Sequence, residues 1–250
     1  MDNKVMYQIQ RCMAWTGPIS VVGYFFFWMV LGHNLPKPPP PGWSGAELVA
    51  NYYMPHRDQI LLGQCVATFF GLLNMVWCIQ LSEQMRIREK GTHVLSQMQL
   101  TGGLLTAFIL SMCSAIWAWC VRYAGTPGVE DELVKAMHII SWYVFNMTYI
   151  ITTIQYVGAG LFAIFNRKEP AIFPVWAGWI AIVFSMTMFP LTFLPYFLEP
   201  SIFAINGYWS FHVIAFAWGI AIWTYSYFMF KDLKRIKLSP TMGIGQAISH

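Results

Sequence analysis

A long segment without charged side chains constrains this chain more than any other feature. No Asp, Glu, Lys or Arg occurs from Ala136 to Phe165. An α-helix needs about 20 predominantly apolar residues to cross a hydrocarbon core of ~30 Å, and this segment is longer than that. We therefore predict a membrane-spanning helix here, with residues 138–165 as the span.

One face of this predicted helix is mostly aromatic. Residues three and four apart in sequence lie above one another on a helix. Tyr and Trp combine large apolar bodies with polar tips, and Thr can bond to its own backbone, so the face suits a helix that lines a cavity or a bundle interior. The face consists of His138, Trp142, Phe145, Tyr149, Thr152 and Tyr156.

The composition extends this reading to the whole chain. Hydrophobic residues make up 57% of the 250 residues and charged residues only 10%, whereas a soluble domain carries about 25% charged residues. We predict an all-α membrane protein, a six-transmembrane-helix bundle that forms a single domain over residues 1–250. The other five spans are expected at about 14–32, 59–81, 99–120, 172–193 and 208–230.

The connector after the first span predicts a short additional helix. It is rich in proline, with the sequence HNLPKPPPPGWSGAE, which favours an extended polyproline conformation. Ser44 and Glu47 then have the spacing of a capping box. We predict an interfacial helix over about 45–53 that lies along the membrane surface, with Trp43, Tyr52 and Tyr53 as anchors.

The distribution of basic residues predicts the orientation. Eleven of the 15 Lys and Arg residues fall on one side of the predicted spans and four on the other. By the positive-inside rule, both termini are cytoplasmic. The excess of positive charge is thus a topology signal, and we exclude nucleic acid as a partner. The predicted spans carry no ionisable Asp, Glu, Lys or Arg, which argues against an ion pump.

Residues near the outer ends of three spans suggest a binding site. Met186 and Met188 lie near the end of the fifth span, Trp209 and His212 begin the sixth, and the apolar segment 193–207 between them could act as a lid. Together with the aromatic face, they suggest a non-catalytic protein. It would bind a hydrophobic small molecule or lipid, or contact a homo- or hetero-oligomeric membrane partner, through an outer-facing aromatic cavity. An aromatic belt at the outer interface is the simpler interpretation of Trp28, Trp43, Trp117, Trp119, Trp142 and Trp209.

Two other functions stay open on the sequence. Four histidines, His33, His56, His138 and His212, fall on the predicted outer side. They could bind Cu, Zn or Fe, or a haem between the last two, in a redox protein, although no HxxxH or HExxH motif accompanies them. A facilitator for an uncharged solute is the third possibility, with a path lined by Gln64, Asn74, Asn146 and Gln155.

Several segments carry a resemblance to a known group. They are SGAELVANYY, HRDQILLG, LSEQMRIRE and RKEPAIFPVWAGW, in their order relative to the spans and the Pro-rich connector. In this layout the chain resembles a group of uncharacterised bacterial integral membrane proteins with six helices. The resemblance implies a multi-pass protein of the bacterial inner membrane and assigns no catalytic residues.

Overall fold

Six helical segments of membrane-crossing length make up most of the computed structural model, which describes residues 3–89, 91–166 and 171–238. Within these ranges no strand occurs. The predicted all-α class and the number of spans are therefore confirmed. In chain order the helices are α1 (Asn3–Tyr24), α2 (Gly45–Leu48), α3 (Arg57–Arg88), α4 (Val94–Tyr123), α5 (Asp131–Met147), α6 (Tyr149–Phe165), α7 (Val175–Thr187) and α8 (Ile214–Leu238).

Most of these helices continue beyond the predicted spans. α3 has 32 residues, a length of about 48 Å at 1.5 Å per residue, against a hydrocarbon core of ~30 Å. Its last turn carries Arg86 and Arg88. Hydropathy marks only the part of a helix that lies in hydrocarbon, whereas backbone hydrogen bonding continues into water. This difference explains why the helix ends lie outside the sequence-based limits.

The two ends of the helix bundle differ in the number of Lys and Arg residues that they carry. At one end, which we call the basic end, Arg88 pairs with the buried Asp232 at 2.8 Å and so joins α3 to α8. At the opposite, distal end, the guanidinium of Arg57 donates to the carbonyl of Arg122 at 2.6 Å and joins α3 to α4.

The short helix after the first span forms, and its cap is as predicted. The Ser44 hydroxyl accepts from the Glu47 N–H at 3.2 Å, while the Glu47 carboxylate accepts from the Ser44 N–H at 2.7 Å. The N–H and the hydroxyl of Ser44 both donate to this carboxylate and hold the pKa of the Glu47 carboxyl below its usual value. α2 then continues as a π-helical turn, Val49–Tyr53.

The tyrosines of this segment do not anchor it to a membrane surface, and that prediction is wrong. Tyr52 and Tyr53 are buried. The Tyr52 hydroxyl donates to the carbonyl of Gly32 at 2.5 Å, and Glu132 of α5 accepts from the Gly45 N–H at 2.6 Å. Partners within the protein satisfy these polar groups, so the segment packs against α5 with its rings turned inward.

The fourth span is one helix of 35 residues, Asp131–Phe165, with a single irregular residue that divides it into α5 and α6. α5 and α6 meet at Thr148, whose hydroxyl donates to the carbonyl of Val144 at 2.8 Å. Two residues earlier, the Asn146 amide donates to the carbonyl of Trp142 at 3.0 Å. Side chains that bond to carbonyls of the preceding turn compete with the backbone ladder and bend a helix. In the fourth span these bonds lie at and just before the one residue, Thr148, where the helix is irregular.

Small residues allow α6 and α7 to approach closely. A Cβ atom added to Gly178 would lie 2.7 Å from the carbonyl oxygen of Gly160. Contact between backbones through Gly and Ala is a common packing mode of membrane helices. Gly160 of the fourth span and Gly178 of the fifth therefore face each other.

Candidate functional site

Four of the six spans lose regular α-helical geometry around one internal cavity. The first span ends in a π-helix, Phe25–Leu31, and the sixth begins with one, Trp209–Val213. The fifth ends in a 3₁₀ helix, Phe189–Tyr196, and the fourth breaks at Thr148. Each of these irregular segments, or a residue next to it, lines the cavity. At membrane depth, irregular backbone is tolerated where it is buried in protein or lines a cavity, and π-helical turns often occur at functional sites.

The cavity has a volume of about 70 Å³. Its walls come from the first span, α4, the junction of α5 and α6, the end of α7 and the start of the sixth span. The lining residues are Tyr24, Phe25 and Trp28; Thr106, Ile109 and Leu110; Phe145, Asn146, Thr148, Tyr149, Ile151 and Thr152; Met188 and Leu191; and Ser210, Phe211, Ile214, Ala215 and Trp218.

A cluster of aromatic rings forms one wall of the cavity. Trp28 lies at its centre, with its ring stacked on Phe145 at 5.0 Å between centroids. Trp142 packs on the far side, 5.6 Å from Trp28 and 4.8 Å from Trp117. Phe211 of the sixth span closes the cluster at 5.5 Å from Trp28. Rings packed at these distances make the wall rigid and apolar.

Polar groups in the walls bond mainly to the protein itself. The hydroxyls of Thr106 and Thr152 bond to each other at 2.8 Å, and Ser210 donates to the carbonyl of Phe203 at 2.9 Å. The indole N–H groups of Trp28 and Trp218 have no partner, but both atoms are buried beneath the surface. The cavity therefore presents mostly carbon atoms to whatever occupies it.

His138 lies beside this cluster in a buried hydrogen-bonded group. Its Nδ1 atom is 2.6 Å from the Tyr53 hydroxyl, and its Nε2 atom accepts from the Trp142 indole N–H at 3.1 Å. An imidazole that accepts at Nε2 carries its proton at Nδ1 when neutral, so Nδ1 donates to Tyr53. Burial raises the pKa of the Tyr53 hydroxyl well above its ordinary value, and this hydroxyl stays protonated. The group connects the short helix after the first span to α5.

The structure brings some of the sequence-predicted ligand-binding residues together and separates others. Phe145, Tyr149, Thr152 and Met188 line the cavity, and Trp142 and His138 lie behind the aromatic wall. Three residues do not line it. They are Met186, which is exposed on the outer surface of α7, Trp209, whose indole donates to the carbonyl of Thr187 at 2.9 Å, and His212, which stacks on Tyr208.

The apolar segment 193–207 does not line the cavity either. The part of the fifth span that does is just before it, where Met188 and Leu191 are buried. Tyr196 and Leu198, within the segment, are exposed instead.

The four histidines of the predicted outer side are not gathered into a metal site. His33 and His56 stack on each other at 3.8 Å, and the His33 ring bonds to Gln59. His138 and His212 lie apart in the surroundings described above. Throughout the described ranges, no group of three or more His, Cys, Asp or Glu side chains is placed to hold a metal ion. Nor is the Nε2 atom of His138 free for a haem iron, because it accepts from Trp142.

The four amides of the facilitator hypothesis are all buried, but they do not share the cavity. Asn146 lines it, whereas Gln64, Asn74 and Gln155 do not. The amide of Gln155 instead lies 3.4 Å from the thiol sulfur of Cys78.

The belt interpretation of the tryptophans is wrong for three of them. Trp28, Trp117 and Trp142 are each at most 3% exposed, so they belong to the bundle interior. Tyr24, Phe211 and Trp218, which sequence reasoning did not select, also line the cavity. Tyr24 and Trp28 are four residues apart and so lie on one helix face. This spacing is a signal in the sequence that could have identified both as lining residues.

Comparison with protein-family models, with curated proteins and with solved structures gives no match to this chain.

Proposed function

We propose that this protein binds the apolar chain end of an uncharged, lipid-like molecule in the cavity at the break of the fourth span. The observation that carries this proposal is the convergence of four irregular span segments on one cavity with mostly apolar walls. Apolar cavities with a few convergent polar groups are the usual form of small-molecule sites.

The size of the cavity favours a chain end over a ring system. An apolar cavity of about 150 Å³ takes benzene, and this one has about 70 Å³. A slender, flexible chain end requires the least volume among apolar groups. Because the hydroxyls of the walls bond to other hydroxyls or to backbone carbonyls, an apolar group leaves none of them without a partner.

We place this activity in the bacterial inner membrane, with both termini cytoplasmic. Six spans of sufficient length make the chain a multi-pass membrane protein. The resemblance to bacterial membrane proteins and the excess of Lys and Arg at the basic end support the finer assignment. Membrane lipids then surround the site and are the nearest source of a ligand.

The proposal is tested by native mass spectrometry of the purified protein, with identification of any retained molecule after solvent extraction. The wild-type protein is expected to retain an apolar molecule. Ala215 lines the cavity, and Ala215→Leu fills part of it, so retention should fall roughly tenfold, equivalent to about 1.4 kcal/mol of binding free energy.

Ala115→Leu is the matched control, because Ala115 is exposed on α4 and does not line the cavity. It should retain the wild-type amount. Met188→Ala enlarges the cavity and should retain at least as much as the wild type. A wild-type protein that is empty, or equal retention by the two leucine variants, would overturn the proposal.

A further inference from the structure

A lateral groove between α7 and α8 lies next to the cavity. Its volume is about 310 Å³, roughly ten times the ~30 Å³ that one water molecule occupies in the liquid. It is open along the outer surface of the bundle. Its lining comes from Trp176, Trp179, Ile180, Val183, Phe184 and Thr187 of α7 and from Ala217 and Ile220 of α8.

Hydrogen bonds join the two helices at both ends of this groove. Towards the basic end, the Tyr225 hydroxyl donates to the carbonyl of Ala177 at 3.2 Å. Towards the distal end, the Trp209 indole donates to the carbonyl of Thr187 at 2.9 Å. Between these bonds the helices separate enough to leave the groove.

The surroundings of the groove determine what it meets. Its residues lie within two membrane-spanning segments, Val175–Tyr196 and Trp209–Arg235. Trp179 and Val183 are more than half exposed on this surface. An exposed apolar surface at this depth faces the acyl chains of the bilayer.

Residues that line the groove and residues that line the cavity are neighbours in sequence on both helices. Thr187 lines the groove, and the next residue, Met188, lines the cavity. On the facing helix, Ala217 lines the groove between Ala215 and Trp218, which line the cavity. A chain in the groove thus lies along the seam between α7 and α8, one residue from the cavity lining on each helix.

We propose that the groove holds one acyl chain of a membrane lipid and that the chain end enters the cavity through this seam. The inference rests on the proposed function and adds to it the ligand class and the route of entry. The flexible thioether of Met188, which packs adaptably, is the side chain that must move to let the chain end pass.

Photo-crosslinking tests the groove. The protein is placed in vesicles of phosphatidylethanolamine and phosphatidylglycerol that contain a phosphatidylcholine with a diazirine on one acyl chain. Adducts are expected to concentrate on the groove residues of α7 and α8, at least fivefold above the exposed apolar residues of α3 such as Leu62 and Phe69. Even labelling of all spans, or crosslinks between two copies of the chain in place of lipid, would overturn the inference.

Ala217→Trp tests the route, because an indole at this position fills the groove beside the seam. We expect groove adducts to fall about fivefold and uptake of the diazirine lipid chain at Met188 to slow by a similar factor. Phe216→Trp, on the adjacent exposed position, should behave as the wild type. Uptake at an unchanged rate in Ala217→Trp would overturn the route alone, whereas an empty cavity in the native mass spectrum of the wild type would overturn the proposed function.

Discussion

At the scale of single residues, His138 shows how burial changes the chemistry open to a side chain. Both ring nitrogens are engaged, Nδ1 with Tyr53 and Nε2 with Trp142. A metal ligand needs one of these lone pairs, and here the lone pair accepts an indole N–H. The histidine therefore joins the short helix after the first span to α5. In this position it holds the aromatic wall in front of it in place.

The Tyr53 hydroxyl is testable as the partner of this ring. Tyr53→Phe leaves the His138 Nδ1–H buried without an acceptor, which costs about 1–3 kcal/mol. We expect a lower thermal unfolding midpoint in detergent and faster amide exchange over residues 45–53. Tyr227→Phe is the control, since Tyr227 is exposed and its ring contact with Phe228 survives the change. Equal midpoints for the two variants would contradict the assignment.

At the scale of helices, the irregular segments explain how an apolar cavity forms within a tightly packed bundle. A regular α-helix repeats its packing surface every turn, so neighbouring helices close against each other. A break at Thr148 and the π-helical and 3₁₀ segments of three other spans shift side chains out of this register. Because all four lie around the same volume, the gaps add up to a cavity.

Thr148 is expected to maintain the break in the fourth span. Thr148→Ala removes the hydroxyl that competes for the Val144 carbonyl and introduces a better helix former. Amides of residues 148–152 should then exchange roughly fivefold more slowly, which corresponds to about 1 kcal/mol. Hydrogen–deuterium exchange measured by mass spectrometry follows this change.

Thr153→Ala provides the comparison on the same helix, because the Thr153 hydroxyl reaches only the Met188 sulfur at 4.0 Å. Its exchange over residues 148–152 should stay at the wild-type rate. Slower exchange in both variants would show that helix propensity alone, and not the hydroxyl, determines the break.

At the scale of the whole molecule, the two ends of the bundle differ in charge. The described side chains of the basic end include Lys4, Arg11, Arg86, Arg88, Lys231, Lys234 and Arg235. The distal end has Lys37, Arg57, Arg122 and Lys135. The predicted asymmetry also counted Lys90, Arg167 and Lys168, which lie outside the described residues. It counted Lys237 as well, whose side chain is not among those described.

This asymmetry predicts which end faces outward. In bacteria that produce a variant without its native cysteines, a membrane-impermeant maleimide should label Glu130→Cys, at the distal end, in intact cells. Glu83→Cys, at the basic end, should be labelled only after the membrane is disrupted. The reverse pattern would place the basic end outside and contradict the proposed cytoplasmic location of both termini.

The sequence by itself determined the six spans and the cap of α2. Apolar length is sufficient to place a helix in a membrane, because lipid leaves the backbone no other way to satisfy its hydrogen bonds. The Ser44–Glu47 capping box is equally local, since both partners lie within one turn.

Only the tertiary structure decided which residues meet. Trp28 and Trp117 could equally have belonged to an interfacial belt, because a tryptophan is stable both at a membrane interface and in a packed interior. Periodicity identifies a helix face but not the helix opposite it, so neither the Tyr53–His138 contact nor the aromatic cluster was available from the sequence. The cavity depends on four separate departures from helical geometry at one depth, and such a coincidence exists only once the helices are packed together.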